Sequence, residues 1–376
     1  MFGPMRRPVQ RRLASVGRPG RVAAGAAILA VLLLAGCDLG GAETVRRVAT
    51  LPSPPPPTVA PKPERLELVL DRGRLSCGVS DSRPGFASPG DDRAYDGLEV
   101  DFCRALAAAL LGNRGALDLV PLGGDDALDA LAEGRVDVLL AGTALTQGAD
   151  VQAGLDFAAP LYFDGQQLLG HAARGYSAAS DLADLAGAVV CVHAGSDAER
   201  RIAAAAEGIR LSSQLTAAAA LAEFAAGNCD AVTNDSSDLI AAMAASPEGA
   251  DWALFPTRSL TVRPLAAAVQ DGQSRFADAV RWTLFALLIA EEHDINSQNL
   301  DLALIDAGVD LARLFGVGPS EMQSAMGIPH DAFYQAVSQV GNYGEIFERN
   351  LGRLGVARGW NGLYRDGGLH YPGPVR

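Results

Sequence analysis

By residue type, five cysteines are the side chains best able to do chemistry in this chain: Cys37, Cys77, Cys103, Cys191 and Cys229. Their spacing contains no C-x2-C pair and the five histidines are scattered singly, so the clustered ligands of a zinc site are missing. Cys37 stands apart. It closes Leu34-Ala35-Gly36-Cys37, a lipobox, the motif at which a thiol is acylated and the preceding signal is removed. Ahead of it, Arg6, Arg7, Arg11, Arg12, Arg18 and Arg21 precede an apolar run from Val22 to Ala35 with no acidic residue upstream. Such a basic, then apolar, then small-residue order describes an export signal. The run falls short of the roughly 20 residues that span a bilayer. Catalytic patterns are lacking: "AGSDA" misses the G-x-S-x-G spacing of a nucleophile elbow. Neither H-E-x-x-H nor a glycine-rich phosphate loop occurs. The expectation is a protein that is not an enzyme and carries no metal or cofactor.

The elements that position these residues follow in order. Residues 1–36 read as the signal, and residues 37–65, with "LPSPPPPTVAPKPER", as an extended proline-rich tether. From Leu66 onward, short apolar strands alternate with alanine-rich helices: "RLSCGVS", a helix near Leu98–Leu111, "ALDLVPL", "ALDALAEG" and "VDVLLAG". The order recurs in "GAVVCVHA", "AERRIAAAAEG", "IRLSSQL", "AAALAEFAAG" and "NCDAVTND". Alternation of this kind predicts parallel sheets in an α/β protein, and its repetition predicts two lobes with ligands between them. The C-terminal third, including "FADAVRWTLFALLIAEE" and "HDAFYQAVSQVG", reads as mainly helical. Four cysteines beyond Cys37 allow three pairings. Cys77–Cys103 and Cys191–Cys229 are favoured because each pair then lies inside one lobe. Loss of the signal's six arginines takes the net charge from −13 to −19, which argues against nucleic acid or anionic lipid on a basic patch.

Several longer blocks carry a resemblance. "GLEVDFCRALAAALLG", "LYFDGQ", "VRWTLFALLIAEE", "VGNYGEIFERN" and "RGWNGLYRDGGLHY" resemble the periplasmic substrate-binding proteins of general L-amino-acid ABC transporters, over roughly Asp71 to the C-terminus. The resemblance implies a type II periplasmic-binding-protein clamshell with a helical C-terminal extension. It implies capture of an amino acid or related polar small molecule and delivery to an ABC permease in the inner membrane. Lobe 1 is then expected at 66–169 plus 264–376 and lobe 2 at 170–263, with crossovers near Leu168–Gly170 and Arg263–Pro264. A monomer is expected, on the periplasmic face and attached through the Cys37 lipid alone. Asp38 after the lipidated cysteine resembles inner-membrane retention signals.

A zwitterionic ligand needs a carboxylate for its ammonium group and donors for its carboxylate. Asp235 in "VTNDSSDL" stands where the family has such a carboxylate, with Asp238 next in line. In "HAGSDAERR", Gly195 and Ser196 lead into a helix whose N-terminus favours an anion, although Ser196 equally suits a simple helix cap. The relatives' carboxylate-gripping arginine is missing: "LAGTALTQGAD" places Ala149 there, Ala141 at another basic position and Leu145 at an aromatic one, while Thr143 and Thr146 remain. Arg83 in "DSRPGFA" is the candidate substitute, with Phe86 as an apolar wall. Tyr162, Phe163 and Gln166 either line the cleft or pack beside it. Trp282, Phe285 and Leu288 follow helical spacing and read as core. "NYGEIFERN" reads as packing for the C-terminal helices. The alternative to capture is a degenerate relative that serves as a sensor or partner-binding module.

Overall fold

The computed structural model describes residues 64–90, 94–123, 126–152 and 154–375. The expected signal, Cys37 and the tether up to residue 63 lie outside these residues. Arg65, assigned to the tether, already opens the first helix.

In chain order the first elements are α1 (Arg65–Arg72), β1 (Leu75–Ser80), β2 (Ser88–Pro89), β3 (Tyr95–Asp96), α2 (Leu98–Leu111), β4 (Leu117–Leu122), α3 (Asp126–Ala132), β5 (Val138–Leu139), α4 (Gln147–Gln152) and β6 (Leu155–Asp164). There follow β7 (Gln166–His171), β8 (Val189–His193), α5 (Asp197–Ala205), β9 (Arg210–Gln214), α6 (Ala217–Ala225), β10 (Ala231–Asp235), α7 (Ser236–Ala245), β11 (Trp252–Phe255) and β12 (Arg263–Gln270). Helices close the chain: α8 (Ser274–Glu292), α9 (Leu300–Ile305), α10 (Val309–Leu314), α11 (Met322–Met326), α12 (Ala332–Val340) and α13 (Tyr343–Asn350).

Two five-stranded sheets result, in the orders β4-β1-β5-β12-β6 and β11-β7-β10-β8-β9. Both are mixed, where the alternation predicts parallel sheets. β4, β1 and β5 run parallel, as do β10, β8 and β9, but β12 and β6 pair antiparallel to each other and β7 runs antiparallel to β10 and β11. The physical reason is the crossing itself. The chain leaves the first sheet along β6, passes through Gly165 alone into β7 of the second, and returns along β12, so β6 and β12 run side by side in opposite directions. Gly165 has φ 156°, and a Cβ there would lie 1.8 Å from the Thr261 carbonyl oxygen on the returning crossover. The two crossing segments touch where a side chain has no room.

The first crossing therefore falls at Gly165, a few residues before the expected Leu168–Gly170, and Leu168 and Leu169 belong to the second sheet. The return ends where β12 starts at Arg263, paired with Asp164. Cys77 joins Cys103 between β1 and α2, and Cys191 joins Cys229 beside β8 and β10. The first bridge ties β1 to α2, and the second ties β8 to the loop that leads into β10.

α8 packs against β6, α12 and α13, with Leu288 buried and Trp282 and Phe285 half-buried at its edge. The "NYGEIFERN" block forms α13. Asn342 and Glu345 cap it reciprocally, Tyr343, Ile346 and Phe347 are buried, and Tyr343 donates a hydrogen bond to the Leu161 carbonyl at 2.8 Å. Beyond α13, Asn361 bonds both backbone groups of Phe163, accepting from its N–H at 2.6 Å and donating to its carbonyl at 3.1 Å. Trp360 donates to the Ser259 carbonyl at 3.1 Å, so the C-terminal segment grips both crossovers.

Candidate ligand-binding cleft

The strand ends beside the crossovers gather an unusual number of charged groups. After β1 the backbone N–H and C=O of Arg83 both bond Ala87, at 2.7 and 2.8 Å, a tight loop that fixes where the Arg83 side chain starts. Its guanidinium lies 5.9 Å from the centre of the Phe86 ring, and Phe86 meets Tyr162 edge-on at 4.9 Å. Gly142 makes room for it, since a Cβ there would lie 2.5 Å from Arg83 Nη1. Arg83 Nη2 reaches Asp238 Oδ1 at 3.3 Å, a contact from the first lobe to α7 of the second. Nη1 is buried and has no hydrogen-bond partner among the described residues.

Beneath Arg83 sits Glu99, buried in the first turn of α2. Its carboxylate accepts from the Ser80 N–H at 2.8 Å, the Ser80 hydroxyl at 3.1 Å and the Gly142 N–H at 3.0 Å. Burial pushes its pKa above the usual carboxylate range, although the Ser80 bonds and Arg83 pull the other way.

On the far side, Asp164 at the end of β6 is fully buried. Its Oδ1 accepts from the Ser236 hydroxyl at 2.6 Å, the Ser237 N–H at 3.0 Å and the Gly165 N–H at 2.8 Å. Its Oδ2 accepts from the Ser237 hydroxyl at 2.7 Å and from Arg263 at 3.0 Å. Burial alone would raise its pKa. The hydrogen bonds from Ser236, Ser237 and Arg263 outweigh that and hold it below the usual range. Arg263 Nη2 also meets Asp235 Oδ2 at 2.7 Å. Asp235 is half-buried at the end of β10, and desolvation raises its pKa against the pull of Arg263. Arg263 Nε is buried without a partner among the described residues, as is Gln166 Oε1.

The sequence-derived residues distribute as follows. Arg83, Phe86, Asp235 and Asp238 come together at the seam between the lobes, and Tyr162 joins them through its bond to Ser236 at 3.2 Å. Gly195 and Ser196 sit at the N-terminus of α5, engaged as a helix cap. Ser196 Oγ accepts from the Glu199 N–H at 3.1 Å and donates to the His193 carbonyl at 2.7 Å, while the Gly195 N–H donates to Glu199 Oε2 at 2.7 Å. Glu199, held below its usual pKa by the Ser213 hydroxyl and that N–H, supplies the anion at this helix end. Thr146 likewise caps α4, accepting from the Ala149 N–H at 3.1 Å. Ala141, Leu145 and Ala149 pack onto Leu139, Leu155, Phe157 and their neighbours. In this segment the three side chains serve as cover for an apolar cluster. Thr143 is half-buried, with its N–H and C=O bonded to Leu140 and Ala266 at 3.0 Å each. Phe163 is held by Asn361, and Gln166 turns toward the Ala198 carbonyl and the Thr233 hydroxyl at 2.9 and 3.0 Å.

Sequence reasoning missed Glu99, Asp164, Ser236, Ser237 and the role of Arg263. One signal was readable: an acid in an otherwise apolar first turn, "GLEVDF". On the first-lobe side of the seam a small void of about 10 Å³ is walled by Phe86, Glu99, Leu140, Tyr162 and Leu265. At the seam Arg83 is paired to Asp238, and Arg263 to both Asp164 and Asp235.

Comparison with known proteins agrees with this architecture. The profile of the bacterial extracellular solute-binding proteins, family 3, matches residues 75–352. The glutamate/glutamine/aspartate/asparagine-binding protein BztA of Rhodobacter capsulatus is 36% identical over 83% of this chain and 93% of its own length. The general L-amino acid-binding periplasmic protein AapJ of Rhizobium johnstonii is 33% identical over 82% and 92%. A solved periplasmic binding protein from Brucella ovis with glutathione bound superposes with a TM-score of 0.70 at 36% identity, covering 84% of this chain and 100% of that one. On the fold, the seam and these matches together, the chain belongs to family 3 of the bacterial extracellular solute-binding proteins.

Proposed function

We propose that this protein captures an amino acid, or a molecule with an amino-acid head group, between its lobes and delivers it to an ABC importer, held at the membrane by a lipid on Cys37 and the 37–65 tether. One observation carries the reading: opposite charges face each other across a two-lobed seam, and two guanidinium nitrogens there, Arg83 Nη1 and Arg263 Nε, are buried without partners. A carboxylate satisfies the Arg83 nitrogen, in place of the arginine that Ala149 replaces. Asp235 and Asp238 receive the ammonium once they release their arginines, and Thr143 lies within the same wall. Gly195 and Ser196 can join only if Glu199 gives up their cap, so Arg83 is the principal carboxylate partner. Glutathione and the ligands named for the Rhodobacter protein share such a head group, which supports the class without fixing its side chain. A ligand touching both lobes stabilises the closed form by its differential affinity for it.

The test is thermal unfolding of the purified protein against common L-amino acids, their amides, glutathione and small peptides, and amines without a carboxylate. Stabilisation by carboxylate-bearing amino compounds, lost in Asp235→Asn, supports capture. Stabilisation by carboxylate-free amines alone refutes the assignment of Arg83. Silence across the panel from a folded protein favours the sensor or partner-module reading, which the loss at Ala149 supports.

A further inference from the structure

A second basic concavity lies on the first lobe, along the flank of α2. It is a groove of about 500 Å³ walled by Arg104, Arg114, Arg349 and Arg353 with Asp96, Asp101 and Asn350. Four arginines face two aspartates in a chain whose net charge is −13. Asp101 and Asn350 are buried and build the floor. Asp101 holds Arg104 at 2.9 Å through one oxygen, and Arg349 at 2.8 Å and Asn350 at 2.7 Å through the other. Arg104 also meets Asp96 at 3.0 Å and the Tyr95 carbonyl at 3.0 Å, and Arg349 donates to the Val340 carbonyl at 3.0 Å. Two guanidinium groups are thereby fixed in place by a single buried acid. Arg114 donates to the Gln339 carbonyl at 2.9 Å, and neither it nor Arg353 has an acidic partner within ion-pair distance among the described residues.

The geometry points to a binding site in this groove for a small polyvalent oxyanion of the phosphate-ester class, separate from the amino-acid cleft. Planar, always-charged guanidinium forks recognise tetrahedral and carboxylate oxyanions through paired N–H donors. Two of the four are preorganised and two are uncompensated, so an anion of charge −2 completes the local balance. The volume exceeds what inorganic phosphate fills and falls in the range of small-molecule sites. The overall acidity of the chain conceals this patch, which forms only when α2 and α13 pack together.

Calorimetric titration of inorganic pyrophosphate into the purified protein, in phosphate-free buffer at low ionic strength, tests it. The expected result is saturable binding near one per chain, weakened at least 10-fold in the double variant Arg114→Gln/Arg353→Gln. Both side chains are exposed and lack an acidic partner among the described residues, so the variant keeps a melting temperature close to the parent's. Arg83→Ala leaves pyrophosphate binding unchanged. Absence of saturable heat, equal affinity in the double variant, or loss in Arg83→Ala overturns the proposal. A parallel arm uses vesicles containing phosphatidylglycerol against purely zwitterionic vesicles. Pyrophosphate-reversible binding to the former alone assigns the anion to a lipid headgroup, and pyrophosphate binding without vesicle binding assigns it to a free phosphate ester.

Discussion

Replacing Arg83 by Ala separates ligand capture from the stability of the fold. The Asp238 side chain that pairs with Arg83 is 43% exposed, so water takes over when the guanidinium goes. The ligand-free protein then loses at most about 1 kcal/mol. The ligated state is different, because a carboxylate closed against Nη1 is shielded by Phe86, Gly142 and the second lobe. Truncating one partner of such a buried pair costs roughly 2–5 kcal/mol, or about 30- to 4000-fold in Kd. At a ligand concentration of 100 times the parent Kd, binding stabilises the parent by about 2.7 kcal/mol. A variant weakened about 30-fold retains about 0.9 kcal/mol at the same concentration, and weaker variants retain less. At about 2 °C per kcal/mol for a chain of this size, the ligand-induced rise in melting temperature falls from about 5 °C to below about 2 °C. Differential scanning fluorimetry with the best amino acid of the panel reads this directly. An undiminished rise in Arg83→Ala refutes the argument and moves the carboxylate to another donor, Arg263 first.

Three further outcomes follow from the same geometry. Asp164→Asn removes a buried carboxylate that five donors serve, so it lowers stability by about 3 kcal/mol at pH 7 in urea denaturation. Because the folded pKa of Asp164 lies below its ordinary 3.8, its contribution is complete above that value and is lost as pH falls through the folded value, and the gap between parent and variant narrows there. Asn361→Ala strips partners from the N–H and C=O of Phe163 at a cost of roughly 1–3 kcal/mol, seen as faster hydrogen exchange of the Phe163 amide ahead of the core; unchanged exchange there counts against a C-terminal grip on the crossover. Reduction of the disulfides, whose cysteines are 26 and 38 residues apart, lowers stability by about 3.5 kcal/mol for each bridge under the chain-entropy account, and a denaturation midpoint indifferent to reductant contradicts it.

The ion pairs at the seam have an energetic logic in the ligand-free protein. Arg83 meets Asp238, and Arg263 is shared between Asp164 and Asp235, so no arginine at the seam lacks an acidic partner. In the proposed reading a zwitterion exchanges partners within that arrangement: its carboxylate takes one arginine and its ammonium the aspartate released. Binding then trades ion pairs of the same kind, and the gain comes from the unpartnered nitrogens and from contacts of the ligand side chain. A ligand carrying one charge alone leaves an arginine or an aspartate uncompensated in the closed form. On that reading the cleft discriminates on the head group first.

Residues whose meaning is local were legible in the sequence, and residues whose meaning depends on the crossing were not. Strand–helix alternation in "RLSCGVS" and "GAVVCVHA" gives the two lobes because each element's burial repeats along its own length. The capping alternative for Ser196 was legible because a cap involves only the short run from Ser196 to Glu199. The change of sheet at Gly165 was not legible, because its meaning lies in the φ of 156° and the close approach of the Thr261 carbonyl, 96 residues further along the chain. Asp164 and Ser237 are 73 residues apart, and Arg263 lies 99 from Asp164. No pattern along the chain links them. Glu99 is subtler still, since an acid in the first turn of a helix is ordinary on the surface, and only the packing of α2 beneath Ser80 and Gly142 turns it into the floor of the cleft.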